Sequence, residues 1–172
     1  MAKDDDETGK PALRPMLPDD APALAAIFGA SIEELAAEDY DEDQRAAWMA
    51  TAEDEGAFGR RLRAMLTLVA TVAGTPAGFA SLKDNSRIDM LFVDPALAGR
   101  GIGTLLVDAC EKLARARGAA ALTVDASDTA RPLFERRGYR AQSRQSIPLN
   151  GEWLANTRLE LTFESARPDA AD

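Results

Sequence analysis

The run VDPALAGRGIGTLL, residues 93–106, sets Gly99, Gly101 and Gly103 at alternate positions between an apolar stretch that reads as a strand and one that reads as a helix. Few features constrain a fold more. Glycine at that spacing lets backbone amides turn inward, because no Cβ blocks the approach and a positive φ costs little. The expected occupant is an anion. The strand before the turn, RIDMLFVD, is followed after the helix by a second strand, AALTVDA. A strand–helix–strand crossover makes the two parallel and adjacent, with the turn at the carboxyl end of the first, where mixed α/β sheets hold ligands.

The flanking sequence does not repeat this unit. ALRPML reads as a short edge strand on account of Pro15. APALAAIFGASIEELAAE follows as a helix capped by Asp19 or Asp20, DEDQRAAWMA as one capped by Asp41, and EGAFGRRLRAM as a third. LTLVATVAG, PAGFASLK and RIDMLFVD alternate with period two between short turns, the pattern of an antiparallel meander. Beyond AALTVDA, Asp128 caps a short helix TARPLFERR, and YRAQSRQSIPL and EWLANTRLELTF flank Asn-Gly, the strongest short hairpin signal. The expected fold class is mixed α+β: a mostly antiparallel sheet of about seven strands, splayed at one parallel pair and flanked by helices. Residues 11–165 are expected to form a single domain, between a disordered leader over residues 1–10 and a frayed tail over residues 166–172.

Composition narrows the chemistry. The chain of 172 residues has no histidine and one cysteine. That excludes His-dependent nucleophilic triads, an imidazole base and an internal disulfide, and no metal site is expected. Cys110 shares a helical face with Leu106 and Leu113, so core packing is its expected role. The net charge of −9 is uneven: residues 33–55 hold ten acidic and one basic residue, residues 99–145 nine basic and five acidic. An acidic chain is a poor nucleic-acid binder, while its basic half can hold a small polyanion. The acidic run reads as a solvated helix face or as an attractor of cationic substrates. No stretch is long and apolar enough for a membrane helix and the N-terminus lacks a signal-peptide pattern, so a cytoplasmic protein is expected.

The glycines fit neither common nucleotide motif. A P-loop needs Lys then Ser or Thr after the last glycine, and Gly103 is followed by Thr-Leu-Leu. A dinucleotide fingerprint needs a sixth-position glycine, which from Gly99 is Thr104 and from Gly101 is Leu106. The segment IDMLFVDPALAGRGIGTLLVDACEKLARARGAAALTVDA, with SDTARPLFERRGY after it, resembles instead the acetyl-coenzyme A binding core of the GNAT superfamily of N-acetyltransferases. Within that superfamily it looks most like bacterial members carrying an ARPFFERxGF-like motif.

The resemblance implies an acyltransferase that moves the acetyl group of acetyl-coenzyme A to a primary amine, small or peptidyl, by direct attack. It implies that the pyrophosphate rests on the amides of Gly99, Arg100, Gly101, Ile102, Gly103 and Thr104 at the positive end of the following helix. Arg100 either adds a charge-assisted contact or points to solvent. Where the family motif has Gln or Arg, this chain has Ala98. The pantetheine arm is implied to run beside Leu91, Phe92 and Val93, with the Leu91 or Phe92 amide as oxyanion donor. Asp89, two residues before Leu91 and so on the same strand face, is a candidate base; the alternative is an ion pair with Arg87 or another cation. Phe134 stands where the family has a tyrosine acid, which leaves it a packing role against pantetheine or core. Ser127 either contacts pantetheine or caps the short helix, and Arg131 either reaches coenzyme A or forms a surface ion pair. Tyr40, Gln44 and Trp48 form one helical stripe that, with Ser31, Glu34 and Trp153, could line an amine pocket. A coenzyme A binding module without turnover is the alternative function, and the oligomeric state is expected to be monomer or homodimer.

Overall fold

The computed structural model describes residues 9–164. All but Gly9 and Lys10 of the expected leader, and the whole of the expected tail, lie outside them. In chain order the elements are β1 (Ala12–Pro15), α1 (Ala21–Leu35), α2 (Glu42–Met49), α3 (Glu55–Arg63), β2 (Leu66–Val72), β3 (Thr75–Lys83), β4 (Arg87–Val93), α4 (Ile102–Ala116), β5 (Ala121–Ser127), α5 (Arg131–Arg136), β6 (Arg140–Leu149) and β7 (Glu152–Thr162). The strands form one sheet in the order β1-β2-β3-β4-β5-β7-β6. Its neighbours are antiparallel except β4 and β5, which are parallel. β1 lies at one edge, as Pro15 requires of a strand that lacks a donor.

Two caps differ in kind. The Asp41 carboxylate accepts from the Gln44 amide at 2.8 Å, and the Gln44 side chain accepts from the Asp41 amide at 3.0 Å, a complete capping box for α2. Asp20 precedes α1 but does not cap it. Its carboxylate instead takes two bonds from Arg14, at 2.6 and 2.9 Å, and one from the Leu17 amide at 2.7 Å. A neighbouring guanidinium outcompetes the helix amides for that carboxylate.

Each sheet face carries its own core. On one, Leu24, Phe28 and Ile32 of α1 and Phe58 and Leu62 of α3 pack on Val69, Phe79 and Met90. On the other, Leu106, Val107 and Cys110 of α4 pack on Leu68, Ile88 and Val124. Each large apolar side chain buried in this way contributes about 1.5–3 kcal/mol. The sheet is thereby clamped at β2 to β4.

β4 is irregular along both of its edges. β4 and β5 pair only at Arg87 with Thr123 and Ile88 with Val124, and part beyond them. Against β3, Ser81 faces Met90 while Leu82 faces Ile88, so Asp89 is an extra residue in a bulge.

Candidate functional site

The glycine turn joins β4 to α4 through a short 3-10 turn over Pro95–Leu97. Among the described residues, none of the six amides of residues 99–104 donates a hydrogen bond; the first that does is Leu105, to the Gly101 carbonyl at 3.0 Å. The first turn of any helix leaves such donors unpaired. Here the turn adds three more. Gly99 and Gly101 both have φ of +79°, and a Cβ at either would meet open space, so backbone conformation alone calls for glycine. Gly103 is glycine for another reason: its Cβ would lie 3.0 Å from Leu133 Cδ1 of α5. The result is an array of free donors at the positive end of α4, suited to a phosphate group.

From this array a cleft of about 420 Å³ runs into the gap between β4 and β5. Leu91 and Val93 form its β4 side, with Gly99 and Gly103 at the mouth. Ser127, Thr129, Leu133 and Arg136 form the β5–α5 side, and Ser31, Ile32, Leu35, Ala36 and Trp48 the wall from α1 and α2. The volume suits part of a cofactor-sized ligand.

Several expected site residues line this cleft: Ser31, Trp48, Leu91, Val93, Gly99, Gly103 and Ser127. Ser31 is 8% exposed and reaches the cleft from α1. Trp48 is half-buried, edge-on to Tyr40 and Phe92 at ring distances of 5.5 and 5.9 Å. Phe92 points to the opposite sheet face from Leu91, where it also meets Phe28 at 4.7 Å. Arg100 and Thr104 are exposed at the turn, while the Ile102 side chain is buried in the core.

Others are drawn elsewhere. Asp89 is not on the face of Leu91: the bulge turns it toward α3, where Arg61 donates to it at 3.0 Å and Arg87 at 3.4 Å. A carboxylate held between two guanidiniums is an ion-pair anchor. Phe134 is 1% exposed and packs edge-on to Tyr139 at 5.1 Å, so it belongs to the core rather than to the cleft. Arg131 pairs with Glu135 and donates to Thr157 Oγ1 at 3.1 Å, the surface role. The Ser127 hydroxyl accepts from the Ala130 amide at 3.1 Å, while Asp128, expected as the cap, is bound to Arg144 at 2.8 and 2.9 Å. That ion pair holds the Asp128 carboxyl below the ordinary aspartate range.

The acceptor stripe divides in the same way. Tyr40 is buried, donating through its hydroxyl to the Ala155 carbonyl at 2.6 Å and accepting from the Asp128 amide at 3.0 Å. Gln44 donates to the Trp153 carbonyl at 2.8 Å. Trp153 is itself 62% exposed, and Glu34 is exposed; neither lines the cleft. The ten acidic residues of the 33–55 run are all exposed, which is the solvated face. Sequence reasoning passed over Arg136, the exposed cation that lines the cleft from the last turn of α5, and Thr129 beside it. The doubled arginine of FERRGY was the available signal.

Three comparisons bear on this arrangement. Residues 36–161 match the acetyltransferase (GNAT) domain family. The uncharacterized N-acetyltransferase YafP of Escherichia coli is 35% identical over 144 residues, 84% of this chain and 91% of its own. A GCN5-related N-acetyltransferase from Rhodopseudomonas palustris superposes with a TM-score of 0.88 at 56% identity, over 91% of this chain and 98% of its own. The PaiA N-acetyltransferase from Thermoplasma acidophilum, solved in complex with coenzyme A, superposes at 0.75 and 16% identity over 90% and 99%, a likeness of fold. Among the described residues, no helix is long and apolar enough to cross a membrane.

Proposed function

The chain belongs to the GNAT acetyltransferase family, and from that premise we propose that it transfers the acetyl group of acetyl-coenzyme A to a primary amine by direct attack. The observation that carries the reading is the array of six undonated amides over residues 99–104 at the mouth of the β4–β5 cleft. The pyrophosphate binds there, on Gly99, Arg100, Gly101, Ile102, Gly103 and Thr104, with the Arg136 guanidinium beside it. The pantetheine arm follows Leu91, Phe92 and Val93 past Ser127. Beyond Ile88 β4 has no β5 partner, which leaves that edge to a ligand.

In the reaction the amine lone pair forms a bond to the thioester carbon, the carbon–sulfur bond breaks, and sulfur leaves with its electrons. The Leu91 or Phe92 amide stabilises the negative charge that develops on the carbonyl oxygen. A thiol with pKa about 8.5 leaves as thiolate without an obligatory acid. Phe134 is therefore no obstacle to turnover. Nor does the family membership favour a binding module without turnover.

Gly101→Glu tests the anchor. Its φ of +79° strains any side chain by about 1–2 kcal/mol, and the carboxylate opposes phosphate. Coenzyme A binding by calorimetry and amine-dependent thiol release should both be lost. Gly118→Glu, equally strained at φ +87° but beyond the far end of α4, should retain both. Equal coenzyme A affinity in the two folded variants would remove the anchor from its assigned place.

A further inference from the structure

The wall that faces an incoming acceptor is apolar. Ile32, Leu35, Ala36 and the Trp48 indole line it, and Ser31 is the one hydroxyl that α1 and α2 contribute. No Asp, Glu, Lys, Tyr or Cys lines the cleft among the described residues. Most carboxylates on the elements around it are paired, and Glu38, Glu42 and Asp43 are exposed outside the lining. From β4, Asp89 is held by Arg61 and Arg87. From β5, Asp125 is held by Arg158 at 2.8 Å and by Gln145 at 3.0 Å. From the following loop, Asp128 is held by Arg144, and from α5 Glu135 is held by Arg131. From the loop after α1, Asp39 accepts from Thr129 at 2.8 Å. Glu33 pairs with Arg45 at 3.4 Å, and Glu34 is exposed outside the lining. Among the described residues Arg136 is the single charged group lining the cleft, and it is a cation.

A strongly basic amine enters such a cleft at a double cost, since its ammonium loses water and finds no carboxylate in the lining to hold it or take its proton. A neutral amine on a flat apolar body suffers neither, and an indole edge with aliphatic neighbours fits that body. The Ser31 hydroxyl is the one hydroxyl that α1 and α2 turn toward that body. We infer that the acceptor is a weakly basic amine carried on an aromatic or similarly flat apolar body, neutral before it enters, and that Ser31 Oγ accepts a hydrogen bond from its N–H. This rests on the transferase reading and gives its acceptor a chemical class. No protein base is needed. The nitrogen becomes acidic once its bond to the acetyl carbon forms, and its proton passes to water as the thiolate leaves.

The test measures thiol release from acetyl-coenzyme A with 4-methylaniline, benzylamine and spermidine between pH 6 and pH 9, conditions set by the substrates. 4-Methylaniline should be the best acceptor at neutral pH, with a flat profile. Benzylamine, equally apolar but strongly basic, should gain about tenfold in kcat/KM per pH unit as its neutral fraction grows. Spermidine should be inert. Ser31→Ala should lower kcat/KM for 4-methylaniline by about three- to tenfold while melting temperature and coenzyme A affinity stay unchanged, since only one small hydroxyl at the cleft wall is removed. Preference for spermidine, an ionisation limiting the 4-methylaniline rate near neutrality, or an unaltered Ser31→Ala rate overturns the inference and leaves the transferase reading intact. Coenzyme A binding with no turnover of any amine overturns both.

Discussion

Tyr40→Phe removes one oxygen and disconnects three segments. Tyr40 is 5% exposed, and its hydroxyl joins the loop after α1 to β7, through the Ala155 carbonyl at 2.6 Å, and to the β5–α5 loop, through the Asp128 amide at 3.0 Å. Burial raises its pKa, so the hydroxyl stays a donor at any ordinary working pH. In the phenylalanine variant the Ala155 carbonyl retains its strand neighbours, but the half-buried Asp128 amide has no other acceptor. A net bond lost costs about 0.5–1.5 kcal/mol and a stranded donor about 1–3 kcal/mol, which gives about 3 kcal/mol together. For a chain of this length that lowers the melting temperature by about 6–12 °C. Urea unfolding should show the same loss through a shifted midpoint at constant slope. Because the freed loop carries Ser127 and Thr129 at the cleft wall, KM for acetyl-coenzyme A should rise several-fold more than kcat falls. The fold should survive, since Asn150 still donates to the Ala47 carbonyl at 2.9 Å and Gln44 to Trp153. A change below about 0.5 kcal/mol with unaltered KM would refute the idea that this hydroxyl ties the rim together.

Two further outcomes are accessible without substrate. The Cys110 thiol is buried, and burial pushes its pKa up to about 12, so the native protein should show no reactive thiol to a disulfide reagent and the urea-unfolded protein one. A full equivalent titrating in the native state would contradict the packing role. Asp20, bonded to Arg14 and the Leu17 amide, is held below the ordinary aspartate range. Its stabilisation is complete above the unfolded aspartate pKa of about 3.9 and is lost as pH falls through the lower folded value. Asp20→Asn should therefore cost about 1 kcal/mol at pH 7 and less below pH 4, so that its urea midpoint converges on the parent's in acid. Parallel midpoints across that range would deny the ion pair its part in stability.

The fold was legible where one face of an element meets one solvent. The change from helical to alternating period marks α3 giving way to β2, Asn150-Gly151 marks the β6–β7 turn, and Gly99 to Gly103 mark the donor array. Strand order was less so: β7 enters between β5 and β6, a choice made by long-range pairing that no local pattern carries. Asp89 shows the limit most clearly. Counting by two put it on the face of Leu91, and a single extra residue opposite Ser81 and Leu82 reversed that. Asp20 and Asp128 look alike as caps in sequence, but Arg14 and Arg144 take their carboxylates, and no local pattern announces either pair. Phe134 and Leu133 are neighbours, yet one fills the core and the other lines the cleft, because α5 is a short helix seated with its apolar face inward. That Ser31 and Arg136 face one cleft follows from packing.

Residues 99–104 are proposed to hold the donor. A crystal structure grown with acetyl-coenzyme A tests it most directly. Pyrophosphate oxygens are expected within hydrogen-bond distance of several of these amides, with the thioester in the gap between Leu91 and Ser127. A well-ordered acetyl-coenzyme A whose phosphates lie away from Gly99, Gly101 and Gly103 would contradict it.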